Sequence, residues 1–167
     1  IGQIKQAYGY DDIASANLAV GGTFSGWGEK DENIDLIAAE NPDLIIIGFG
    51  MNENSSSDVT FSYHINNIID KTLAKCPNSE FLLVSSMYPT SLSFAGQRLN
   101  ALEKVLYKIQ ADRPSVHIAV APVNSVFGYV KDQKRIFDLL GNNVNHPNDF
   151  GVRIYAQTIS ATLGALN

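Results

Sequence analysis

The order of apolar runs and helical stripes predicts a three-layer α/β/α fold, a parallel sheet held between helices. Three observations predict it. Short runs rich in branched apolar residues, such as Asp43-Leu44-Ile45-Ile46-Ile47-Gly48-Phe49, suit parallel strands buried on both faces. Between them lie longer stretches with apolar residues three and four apart, the period of a helix with one buried face. The two kinds alternate along the chain, which is the pattern of a parallel sheet with crossover helices.

In chain order, residues 1–10 read as the end of a connecting helix. Residues 14–20 read as a strand ending in Gly21-Gly22, and residues 34–39 as a short helix. The apolar run 43–49 is the next strand. Residues 62–73 place Ile65, Ile68, Ile69 and Leu73 on one stripe, and residues 80–85 form a second buried strand. In residues 97–110, Leu99, Leu102, Val105, Leu106 and Ile109 share a face. A strand over 116–121 is bracketed by Pro114 and Pro122. A last helix over 149–166 carries Val152, Tyr155, Ile159, Leu163 and Leu166 on one side. No repeat or linker interrupts this order, so residues 1–167 read as one domain, and Ser55-Ser56-Ser57 as a loop.

Composition narrows the function. The chain has 167 residues, 45% hydrophobic and 17% charged, enough apolar material for one core. Twelve Lys and Arg face 17 Asp and Glu, a net charge of −5, with no basic cluster to neutralise phosphates. Nucleic acid is therefore not an expected partner. No apolar run has the length of a membrane span, so no membrane partner is expected. Cys76, the one cysteine, has no second thiol with which to form a disulfide, and reads as a plain thiol at a helix end. No cluster of metal ligands appears and no cofactor is expected. No compartment can be assigned.

In an open α/β sheet, sites form beyond the carboxyl ends of the strands. Three loops fall there, 21–28, 50–58 and 86–93, and the loop 141–149 before the last helix can join them. That loop holds His146 ahead of Pro147, with Asn148 and Asp149 placed to cap the helix. A histidine restrained in this way suits proton transfer. The bland alternative, an exposed histidine beside a helix cap, has equal weight on spacing alone. Gly21-Gly22 after a strand lets backbone approach a ligand and aim an N–H at it; a simple tight turn is the competing reading. The spacing of Gly21, Gly22 and Gly26 does not fit a dinucleotide fingerprint. In Gly50-Met51-Asn52-Glu53 the Asn52 amide can donate to a developing oxyanion, and Glu53 can act as a base or partner charge. His64 and His117 carry no functional signal.

Together these blocks resemble those of the SGNH (GDSL-like) hydrolase superfamily, over residues 14–166. Its glycine block is similar to residues 17–23, its G-x-N-D block to Gly50-Met51-Asn52-Glu53, and its D-x-x-H block to residues 143–148. The resemblance implies a flavodoxin-like parallel sheet and a metal-independent serine esterase or acetylesterase. It implies His146 as the base, Gly21 N–H and the Asn52 amide as oxyanion donors, and Asn143 at the position that usually holds aspartate. The implied substrates are small acyl esters, on carbohydrates among others, with Trp27, Phe24, Tyr88 and Glu53 as substrate-binding candidates; for the aromatics, packing beneath the loops is the competing reading. Two departures stand out. Asn143 is neutral where the family has a carboxylate, and the G-D-S block with the nucleophile is absent. One strand, loop and helix need roughly 30 residues, whereas only 16 precede Asn17. Ser15, Ser25 and Ser62 lack the motif. The expectation is a domain without its first strand, inactive alone, and a homo-oligomer through unpaired strand edges. The rival expectation is a binding or scaffold domain that kept the fold and lost the chemistry.

Overall fold

A computed structural model describes residues 2–53, 57–90, 92 and 98–164 of the chain. Its described elements run α1 (Gly2–Tyr8), α2 (Ser25–Gly28), α3 (Asp31–Ala39), β1 (Leu44–Ile47), α4 (Asp58–Lys75), β2 (Glu80–Val84), α5 (Leu99–Asp112), β3 (Ile118–Ala121), α6 (Val123–Lys131) and α7 (Asp149–Thr162). A short 3-10 turn, Ile136–Leu139, precedes α7.

The sheet is parallel and ordered β1-β2-β3. Ile45 stands opposite Phe81, and Phe81 opposite Ile118. Strand alternation sends Phe81 and Leu83 to one side and Leu82 and Val84 to the other, and each side has its own core. Ile45, Ile47, Phe81 and Leu83 pack with Ile34 of α3, Phe61, Ile65, Ile68 and Ile69 of α4, and Leu99, Leu102, Leu106 and Ile109 of α5. Leu82, Val84 and Ala121 pack with Val123 and Phe127 of α6, with Leu139 and Leu140 at the end of the 3-10 turn, and with Ile154 of α7. This is the predicted three-layer α/β/α arrangement.

Local chemistry explains the element ends. Ser57 caps α4, its Oγ accepting the Thr60 N–H at 3.0 Å. At the other end of α4, Cys76 is the C-cap residue and is buried. Between the second layer and the sheet, Glu103 of α5 is buried with three polar partners. Its Oε2 accepts from Ser85 Oγ at 2.6 Å and from Ser125 N–H at 3.2 Å, and Ser125 Oγ–H bonds Oε1. Ser85 Oγ also accepts the Asn124 N–H at 3.0 Å, so the start of α6 is capped from the residue after β2 and from α5.

Four expectations need correction. Residues 14–20 form no strand; they are exposed and make no ladder. A strand needs a neighbour for its backbone groups, and none lies beside this segment among the described residues. The run containing β1 is buried on one face only: Leu44 is 38% and Ile46 53% exposed. The α6–α7 layer covers β2 and β3 but does not reach β1, which among the described residues pairs with β2 alone. On α7 the buried residues are Gly151, Ile154, Thr158 and Ser160, while Val152 is exposed. Tyr155, Ile159 and Leu163 of the predicted face do pack against the core beneath α6 and α7, so among the described residues only Val152 departs from it; Gly151 presses instead against the Leu139 carbonyl. Finally, α6 and α2 were not foreseen. Leu166 lies outside the described residues.

Candidate active site

Residues 140–149 fold back on themselves ahead of α7. Leu140 and Pro147 form an antiparallel bridge. The Gly141 N–H donates to His146 O at 2.9 Å and the Asn148 N–H to Leu139 O at 3.0 Å. Asn148 caps α7, its Oδ1 accepting the Gly151 N–H at 3.0 Å, as the sequence suggested. The tip of this loop is organised by Asn142. Its Oδ1 accepts the backbone N–H groups of Val144, Asn145 and His146 at 3.0, 2.9 and 2.9 Å. Its Nδ2 lies 3.1 Å from Asn145 Oδ1 and 2.6 Å from His146 Nδ1. Asn143 takes a left-handed backbone, φ 59°, which asparagine tolerates better than most residues. Thr90, beyond β2, anchors the loop: its N–H donates to Val144 O at 2.8 Å and its hydroxyl to Asn143 O at 3.2 Å.

The opposite wall is built from two turns. Gly22 has φ 81°, a conformation that favours glycine, and Thr23 Oγ1 donates to Val20 O at 2.8 Å. After β1, Gly50 turns the chain at φ 139°, and a Cβ there would meet Ser86 Oγ at 2.8 Å. The turn sets Asn52, whose Nδ2 donates to Thr23 O at 3.1 Å and so ties the two turns together. Among the described residues, the other amide hydrogen of Asn52 has no partner.

These pieces enclose a cleft of about 430 Å³ lined by Gly22, Met51, Asn52, Met87, Asn145, His146, Pro147 and Tyr155. Among the described residues, no aspartate, glutamate, lysine or arginine lines it. Tyr155 Oη accepts the Met87 N–H at 2.8 Å, which leaves its own O–H to donate. Burial raises the Tyr155 hydroxyl pKa above the ordinary tyrosine value, with the Met87 bond opposing the shift.

The predicted residues divide. His146 and Asn52, from distant parts of the chain, meet across the cleft. Of the glycine pair, Gly22 lines it and Gly21 does not. The recorded partner of His146 Nδ1 is Asn142, one residue before the predicted Asn143, because the left-handed turn at Asn143 presents its carbonyl to Thr90. Glu53 is buried away from the cleft, its Oε1 accepting the Ser25 N–H at 2.6 Å at the start of α2. Phe24 stands edge-on to His64 with ring centres 6.5 Å apart. Trp27 lies in α2, whose Gly28 is pressed on Phe49 and Ile68, and its carbonyl accepts from Asn33. Tyr88 bonds Asn100 and sits under Lys131 Nζ, 5.5 Å from the ring centre. None of these four lines the cleft; Phe24 is exposed beside His64 of α4, and Tyr88 lies against Lys131 of α6.

No serine, threonine or cysteine lines the cleft among the described residues. Ser25 is fully buried, and Ser62 accepts from Asn66 on α4. Sequence reasoning missed Asn142, Met87 and Tyr155. A signal existed for Tyr155, the one residue with a polar tip on the apolar face of the last helix.

No family model matches the sequence, and no curated protein matches it. Solved structures do match its fold. A candidate GDSL-like lipase from Parabacteroides merdae has a TM-score of 0.83 at 16% identity, covering 98% of this chain and 79% of that one. A carbohydrate esterase of family 3 from Talaromyces cellulolyticus has a TM-score of 0.76 at 15% identity, over 99% and 87%. A catalytic mutant of an acetylxylan esterase from Geobacillus stearothermophilus has a TM-score of 0.79 at 15% identity, over 98% and 78%. The chain therefore has an SGNH hydrolase-like α/β/α fold.

Proposed function

We propose that this chain carries the base and oxyanion side of an SGNH-type ester hydrolase that removes small acyl groups, acetyl first, from carbohydrate-like alcohols. The observation that carries the reading is the convergence of Asn52, Gly22 and His146 on one cleft, in a fold shared with esterases of that kind. A small acyl group suits a cleft whose apolar lining is Met51, Met87 and Pro147.

The nucleophilic hydroxyl would come from a further strand lying along β1. The motive for this is the free edge of β1, its exposed Leu44 and Ile46, and the unpaired residues 14–20. In the completed site, the hydroxyl oxygen attacks the ester carbonyl carbon while His146 Nε2 takes its proton. The carbonyl oxygen becomes an oxyanion held by the spare Asn52 amide hydrogen and a backbone N–H of the glycine turn. The intermediate collapses to an acyl-enzyme, and the alcohol leaves with the proton from the imidazolium. Water then attacks the acyl-enzyme with the same proton relay and releases the acid. The sum is ester plus water giving acid plus alcohol, with no metal.

The test is turnover of p-nitrophenyl acetate by the chain alone and by a form extended with an N-terminal strand ending in Gly-Asp-Ser. The extended form should hydrolyse the ester, and His146→Ala should abolish it. Unchanged turnover in the His146→Ala form would sink the reading. A second reading, a binding domain that kept the fold, is favoured by one observation: the recorded partner of His146 Nδ1 is a neutral amide instead of a carboxylate. An extended form that folds but never turns over an ester supports it.

A further inference from the structure

We propose that Asn142 is a positioning residue that fixes the tautomer of His146, holding the ring proton on Nε2. The assignment follows from hydrogen-bond chemistry. An amide has one acceptor, its oxygen, and one donor group, its nitrogen, which has no free lone pair. Three backbone N–H groups converge on one atom of the Asn142 amide at 2.9 to 3.0 Å. That atom must be the oxygen, since the flipped amide would set N–H against three N–H groups. The atom 2.6 Å from His146 Nδ1 is therefore the NH₂ nitrogen, and it can only donate. Nδ1 must then present its lone pair, and the proton of the neutral ring sits on Nε2. The second Nδ2 hydrogen goes to Asn145 Oδ1 at 3.1 Å, so the amide is fully used.

The other two histidines are built the opposite way. His64 Nδ1 lies 2.8 Å from Glu29 Oε1, and His117 Nδ1 lies 2.9 Å from Glu80 Oε1. A carboxylate accepts, so both rings carry their proton on Nδ1. One chain thus holds two histidines of base-competent tautomer outside the cleft and one of donor tautomer within it. The consequence for chemistry rests on the ester-hydrolase reading. With Nε2 protonated at rest, His146 meets a ligand as a hydrogen-bond donor, and the proton transfer to Nε2 in ester hydrolysis first requires the ring to take the Nδ1–H tautomer that Asn142 disfavours. In a serine-protease triad, an amide that leaves the histidine in the wrong tautomer costs about 10⁴-fold in kcat. Asn142 sets the same restraint here, from four residues upstream.

Asn142→Asp separates the two roles of this side chain. Oδ1 still accepts the three N–H groups and keeps the loop, while Oδ2 replaces the donor facing Nδ1; the Asn145 amide rotates to donate to it. Two-bond ¹H–¹⁵N correlation spectra of the imidazoles, taken at about pH 8.5 where histidines are mostly neutral, read the tautomer without any substrate. His146 should show an unprotonated Nδ1 in the native chain, opposite to His64 and His117, and a protonated Nδ1 in Asn142→Asp. A native His146 with the pattern of His64 overturns the proposal, as does an Asn142→Asp spectrum with the proton still on Nε2. In the strand-extended form, inversion of the tautomer should raise p-nitrophenyl acetate turnover at least about tenfold, a fraction of the triad effect. Inversion with no rise leaves the tautomer assignment standing and counts against the esterase reading alone.

Discussion

The hydroxyl of Tyr155 and the backbone N–H of Met87 meet at 2.8 Å at the floor of the cleft, joining α7 to the segment after β2. Tyr155→Phe keeps the ring and removes the acceptor. The Met87 side chain is fully buried, and an unpaired N–H in this setting costs about 1–3 kcal/mol. The urea midpoint at neutral pH should fall accordingly.

The same contact sets a pH dependence. Burial raises the Tyr155 pKa in the folded state above its unfolded value of 10.0. The stabilisation is therefore fully present below about pH 10 and is lost as pH rises from there through the higher folded value. Midpoints measured from neutral pH up to about pH 11 should fall less steeply in Tyr155→Phe than in the native chain. An equal slope would remove Tyr155 from the alkaline transition.

Glu103→Leu should be among the costliest single changes. It leaves Ser85 Oγ and Ser125 Oγ without their carboxylate and uncaps α6 at Ser125. Loss of a buried charged acceptor and a cap together costs on the order of 3 kcal/mol. Calorimetry or urea unfolding reads this directly. Glu103→Gln, whose amide oxygen can still accept from Ser85 Oγ and the Ser125 N–H while its NH₂ donates to a rotated Ser125 hydroxyl, should lose less.

Gly151→Ala should damage the site through packing. A Cβ there would lie 2.6 Å from Leu139 O and 2.8 Å from Pro147 Cβ. Relief requires moving the strand-like arms of the 140–147 loop, at a cost of about 1–3 kcal/mol. Shifted amide resonances for residues 142–147, with those of β2 unchanged, would confirm the route.

Ile46→Lys tests the open sheet edge. Ile46 is exposed on the uncovered face of β1, so the change should alter monomer stability by less than about 0.5 kcal/mol. A charge beside a free edge disfavours strand addition. If the chain self-associates through this edge, light scattering should show less oligomer for Ile46→Lys than for the native chain. Equal association would move the interface elsewhere.

The sequence was most informative where a residue's environment repeats locally. The stripe Leu99, Leu102, Leu106 and Ile109 and the runs containing Ile45 and Phe81 face cores whose side they determine themselves. Residues 14–20 were misread because their pattern is that of a strand, while strand formation depends on a neighbour that the pattern cannot supply. Val152 was misplaced for a related reason, since the contact between Gly151 and Leu139 sets the edge of the buried face, while Tyr155, Ile159 and Leu163 pack as their spacing predicts. At the site, Asn52 and His146 were legible from their places at strand and helix ends. Asn142 was not, because its role comes from a left-handed turn at Asn143 that shifts the partner of His146 by one residue. Phe24, Trp27 and Tyr88 look like cleft aromatics in a linear reading, and only the course of α2 and α6 shows that none of them lines the cleft.

Thr90 gives the histidine loop an address on the sheet. Its N–H and hydroxyl grip the carbonyls of Val144 and Asn143, so the imidazole is surveyed from the end of β2. Lengthening or trimming the far end of α7 should leave the reacting geometry where it is. Adding a single residue between Val84 and Thr90 should carry His146 away from Asn52. Transplanting this cleft to another scaffold would therefore mean moving the segment after β2 together with the loop.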